Sequence, residues 1–154
     1  MNVRRLLVAA IPAGLLGAVT IDVYLWVTTV VPTHGSMLPT WEFIASTVIG
    51  KIAFTNSSYA WLGLFMHVCV SIGWAGGYTY MALTQPFINR RWPISGLVYG
   101  VVVYFLMQVV LLVDNNFRYP DSLTLFFNAL IAHTIFFGLP VAYVVHAITS
   151  KETA

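Results

Sequence analysis

The chain has 154 residues, 59% of them hydrophobic and 8% charged, with a formal net charge of +2 and a mean hydropathy of +0.84. Soluble domains carry about 25% charged residues, so a soluble globular fold is excluded, and the weak charge gives no case for nucleic acid. One transmembrane domain over residues 1–154 is expected, because no polar stretch is long enough for a separate soluble domain.

Arg4 and Arg5 precede an apolar run that continues to about Val31. A signal peptide begins this way, but this run is long enough to cross a bilayer and reads as a first span over about residues 6–31. Along it Ala10, Gly14, Ala18 and Asp22 recur every four residues. They therefore share one face.

In the long connection that follows, Pro39 precedes Trp41, Ile44, Val48 and Ile52, with Glu42, Ser46 and Lys51 interspersed. The three- and four-residue spacing predicts a short amphipathic helix at about residues 40–53, lying on the outer interface. His34 reads as a solvated loop residue.

A second span is expected over about residues 59–83. Gly63, His67, Ser71 and Ala75 form one row on it, with Gly73 and Gly77 beside. Cys69, within the same run, reads as a small hydrophobe. The turn that follows carries Arg90 and Arg91.

The third span, about residues 93–113, carries Gly96, Gly100, Tyr104 and Gln108 on one row. Asp114, Arg118 and Asp121 then crowd a turn, where surface pairing contributes little. The fourth span, about residues 123–148, carries Asn128, Ala129, His133, Gly138, Ala142 and His146. Within it, Pro140 removes one backbone hydrogen bond and predicts a kink near Phe136.

These spans predict an all-α integral membrane four-helix bundle. Arg4, Arg5, Arg90, Arg91 and Lys151 fall on one side, against Lys51 and Arg118 on the other. That asymmetry predicts cytoplasmic N and C termini, and Trp41, Trp61 and Trp92 lie near the expected interfaces. Membrane helices associate through small residues, so Gly14, Gly63, Gly73, Gly77, Gly96 and Gly100 are the expected packing positions.

Asp22, His67 and His133 lie eight to ten residues from the outer ends of their spans. At about 1.5 Å per residue they share one depth, roughly 12–15 Å below the surface. Gln108 and Asn128 sit roughly 8–9 Å deep, above them. Ser71 follows His67 by one turn and completes the polar cluster. An Asp at a helix centre costs about 2.5–3.5 kcal/mol on insertion scales and needs a partner or a proton.

Three readings of this layer stand open. It can be a satisfied hydrogen-bond layer that fixes helix register. It can handle protons or small solutes, Asp22 exchanging a proton with a histidine along a path past Gly100 and Tyr104. Or His67 and His133 together can ligate one haem iron, or one of them a chlorophyll-type magnesium. His146 would need a partner near the cytoplasmic face, and with four His in the chain two bis-His haems are excluded within one copy. No His-x-Glu, Cys-x-x-Cys, Gly-x-Ser-x-Gly or phosphate-loop pattern occurs, so nothing points to an enzyme.

His67, Ser71, Gly77-Tyr78, Arg90-Arg91, Gly96, Gly100, Met107 and His133 occur in an order that resembles the YagU-like small bacterial inner-membrane proteins, over about residues 59–148. The resemblance implies a four-helix inner-membrane protein linked to acid tolerance, and directs attention to His67 and His133. The expected role is a non-enzymatic packing or accessory subunit of the bacterial inner membrane. Its expected partners are the lipid bilayer and copies of itself or subunits of a larger complex. No cofactor is the leading expectation, with haem or a chlorophyll-type pigment as the alternative.

Overall fold

The computed structural model describes residues 3–113 and 123–151. The turn carrying Asp114, Arg118 and Asp121 lies outside them. Among the described residues all regular structure is helical. The helices are α1 (Val3–Thr33), α2 (Leu38–Ile49), α3 (Tyr59–Thr84), α4 (Pro86–Arg90), α5 (Trp92–Val113) and α6. The last runs through Leu123–Ile131, Ala132–Gly138 and Leu139–Lys151. Four helices, α1, α3, α5 and α6, are long and apolar enough to cross a membrane, which makes this a multi-pass membrane fold. Each ends within a turn of its predicted boundary.

Two of these helices widen locally, and each does so just before a proline. Residues Trp26–Val30 of α1 form a π turn ahead of Pro32. Residues Ala132–Gly138 of α6 form another ahead of Pro140. The expected kink at Phe136 is thus a seven-residue π segment. Proline lacks an N–H and its ring crowds the carbonyl four residues back, and a wider turn relieves that crowding. Threonine hydroxyls add to the widening in α1. Thr28 donates to the Tyr24 carbonyl (2.9 Å), Thr33 to that of Thr29 (2.6 Å), and Thr29 to that of Leu25. The helix stops at His34, whose left-handed backbone (φ 50°) lets Gly35 N–H reach the Val30 carbonyl at 3.1 Å.

Helix α2 differs from the amphipathic helix expected over residues 40–53. It ends at Gly50, where φ is +66°, and continues as a 3-10 turn, Gly50–Phe54. Two residues of the apolar stripe stay on its outer face. Val48 is 69% and Ile52 52% exposed, whereas Ala45 and Ser46 are buried. Gly63 is the reason: a Cβ there would run into the Trp41 carbonyl and come within 3.1 Å of Ala45 N. The bare glycine seats α2 by its backbone, and that contact sets which face turns inward.

Close backbone approach also joins α5 to α6, where Gly96 and Gly100 meet Gly138 and the His133–Thr134 backbone. Gly14 brings α1 against Ile72 of α3. The expectation for Gly73 needs correction. A Cβ at Gly73 would meet nothing within 4 Å, and one at Gly77 would meet the Tyr99 hydroxyl at 3.0 Å. Both lie on the wall of a groove between α3 and α5, which stand apart. Side chains bridge that gap. Tyr78 and Ser95 hydroxyls pair at 2.7 Å, Tyr99 donates to the Trp74 carbonyl at 2.5 Å, and Trp74 Nε1 donates to Met107 Sδ at 3.3 Å.

Candidate functional site

The stripe Gly14–Ala18–Asp22 faces α3, so Asp22 arrives beside His67. The His67 Nε2 lies 3.4 Å from Asp22 Oδ1 and 3.5 Å from the Ala18 carbonyl. A carbonyl only accepts, so in the tautomer protonated at Nε2 that N–H stands between two acceptors. The contacts are long, and neither side chain is sealed: His67 is 16% and Asp22 22% exposed. A third residue completes the pair. The Trp41 indole N–H, brought in by the Gly63 contact, approaches the Asp22 carboxyl without closing a well-aligned hydrogen bond. The position combines a carboxylate acceptor, an imidazole and an indole donor drawn from α1, α3 and α2.

His133 stands apart from that pair. It sits in the π turn of α6, where its Nδ1–H donates to the Ala129 carbonyl at 2.8 Å. That bond fixes the tautomer and leaves Nε2 with its lone pair. The edge of its ring meets Tyr104, with centroids 5.6 Å apart. His67 and His133 line one cavity of about 50 Å³, with Ile21, Ser71, Trp74 and Phe137 around it. A water needs roughly 10–15 Å³ of such space and two or more polar partners; His67, Ser71 and His133 are the candidates among the lining residues. The three residues expected at one depth therefore form a direct pair, Asp22–His67, and a third member across a small polar gap.

That gap does not fit a haem held between the two histidines. Cofactor-sized sites measure about 300–1,000 Å³, and about 50 Å³ between His67 and His133 leaves no room for a tetrapyrrole plane. Among the described residues no group of three or more His, Cys, Asp or Glu side chains gathers to hold a metal ion.

The other predicted polar residues fall elsewhere. Asn128 Oδ1 accepts from the Tyr24 hydroxyl at 2.6 Å, and its Nδ2 donates to Thr28 at 3.4 Å. The Tyr24 ring stacks on Phe136, centroids 4.2 Å apart. These contacts stitch α1 to α6 beyond the cavity. Gln108 is half-buried on α5, outside the residues that line the cavity. Ser71 is buried at its edge. His146 lies toward the far end, with Nδ1 3.1 Å from Asn89 Oδ1 and 3.2 Å from Ser150 Oγ, its ring over Trp92. Cys69 is on the outer face rather than buried.

Toward the end that carries Arg4 and Arg90, most of the interior is apolar, with Thr79 and Thr149 buried in it. Ala9, Ala13, Ala75, Ala82, Val141 and Val145 are buried around Tyr78. The path past Gly100 and Tyr104 is blocked where Gly100 abuts the His133 carbonyl and Thr134 Cα. Tyr104 is 2% exposed.

Helical periodicity did not reveal Trp41, Tyr24 or Thr20. Trp41 was legible only as part of an interfacial stripe, because its contact depends on how α2 folds back on Gly63. Thr20 had a usable signal. Pro140 frees the Phe136 carbonyl, and a hydroxyl on a facing helix is the natural donor to it. Comparison with protein-family models, curated proteins and solved structures finds no match.

Proposed function

We propose that this chain is a non-enzymatic accessory protein of the bacterial inner membrane with cytoplasmic termini. In this reading the Asp22–His67 pair is a structural clamp between the first and second spans. The carrying observation is its setting: the 3.4 Å contact lies above a half of the bundle filled with buried Ala and Val. A proton relay needs successive polar partners or water, and the polar groups of that half are paired locally, Tyr78 with Ser95, Thr79 with the Ala75 carbonyl and His146 with Asn89.

A second reading rests on the gap between His67 and His133. Water held there would let one proton be shared between the two imidazoles, so that bundle stability responds to acid without conduction. This fits the acid-tolerance link implied by the resemblance to the YagU-like proteins.

Proteoliposomes carrying the full chain test both. The clamp predicts that Asp22→Asn lowers the melting temperature and leaves dissipation of an imposed pH gradient at the rate of empty vesicles. Rapid dissipation by the wild type, abolished in an Asp22→Asn variant of unchanged melting temperature, would make the protein a proton conductor instead.

A further inference from the structure

The groove between α3 and α5 encloses about 830 Å³. It exists because these two helices touch through long side chains and not through close backbone approach. The Tyr78–Ser95 and Tyr99–Trp74 hydrogen bonds span its back and hold the helices at a fixed separation. One wall is the row Ile94, Val98, Val102 and Leu106, which recurs every four residues of α5 and is 42–63% exposed. On the facing wall Gly73 leaves open space. Among the described residues that line the groove, Arg91 is the only charged one, and it stands at one end.

From Arg91 to Leu106 is fifteen residues, about 22 Å of helix, enough to span one hydrocarbon leaflet of roughly 15 Å, half of the ~30 Å core. A hydrocarbon chain is slim enough to enter along the whole length. At the groove's end a guanidinium offers two parallel N–H donors to a phosphate, placed where a headgroup sits.

We infer that the groove binds an anionic phospholipid, its acyl chain along the Ile94–Leu106 row and its phosphate on Arg91. Arg91 supplies the preference for negative headgroups, and the empty space at Gly73 supplies the room for the chain. The site is separate from Asp22 and His67 and stands whether or not they act as a clamp.

Native mass spectrometry of the full-length protein in detergent, with dioleoyl phosphatidylglycerol or dioleoyl phosphatidylcholine added, tests this. The wild type should retain one phosphatidylglycerol, in about fivefold preference to phosphatidylcholine. Arg91→Gln should remove the preference, while Arg90→Gln, outside the groove, should keep it. Gly73→Phe should fill the space and lose retained lipid at an unchanged melting temperature. If Gly73→Phe does not fold, Arg91→Gln decides alone. Equal retention of both lipids, an Arg91→Gln variant with its preference intact, or a dimer that Gly73→Phe converts to monomer would each overturn the assignment. The last would make the groove a helix–helix interface.

Discussion

Thr20 of α1 donates to the Phe136 carbonyl of α6, the carbonyl that Pro140, four residues on, has no N–H to satisfy. The Leu16 and Gly17 carbonyls of its own helix are also within reach of that hydroxyl, at 2.8 and 3.2 Å. The cross-helix bond turns a defect in one helix into a contact between two. An unsatisfied carbonyl in a membrane interior costs several kcal/mol, so the π turn that carries His133 depends on what α1 brings to it.

Thr20→Val keeps the shape and removes the donor. It should lower stability by about 1 kcal/mol, in line with interhelical hydrogen bonds in bilayers. Thermal or denaturant unfolding in detergent measures this. Thr28→Val, whose hydroxyl donates to the Tyr24 carbonyl within α1 and also accepts the long Asn128 contact, should cost less.

The glycines should separate sharply. Gly63→Ala places a methyl against the Trp41 carbonyl and should destabilise by about 1–3 kcal/mol, as overpacking does. Gly73→Ala meets open space and should be neutral or stabilising by up to about 1 kcal/mol through helix propensity. Melting temperatures of the two variants, compared side by side, check the order.

That contrast marks what the sequence could reveal. Long apolar runs specify spans almost directly, because a bilayer demands about 20 apolar residues with internal backbone bonding. The row Gly14–Ala18–Asp22 also located its own face. Rows of small residues do not say which neighbour they meet. Gly63 and Gly73 look alike on one helix, yet one seats α2 and the other borders a groove. Lateral order depends on how helices pair around the bundle, as with His133, which was expected at the depth of Asp22 but stands across a cavity from His67. The π turns were invisible because a proline announces a lost bond and not how the turn adapts.

Tyr24→Phe should cost about 1–1.5 kcal/mol by removing the 2.6 Å bond to Asn128 and leaving a partly buried amide short of a donor. Pairing it with Asn128→Leu should recover part of that loss, because no unmatched polar group then remains. Denaturant unfolding of both single variants and the double variant measures the recovery.

Hemin titration of the purified protein should give no bis-histidine absorption spectrum. The 50 Å³ gap between His67 and His133 is too small for the macrocycle. A haem spectrum lost in both His67→Ala and His133→Ala would contradict this geometry.

The central claim is that Asp22 and His67 act on each other directly and that His133 does not share that contact. Two double-mutant cycles on the unfolding free energy test it most directly, one for Asp22→Ala with His67→Ala and one for Asp22→Ala with His133→Ala. The expected result is coupling of about 1 kcal/mol in the first cycle and near-additivity in the second. Additive effects in the first cycle, or equal coupling in both, would contradict it.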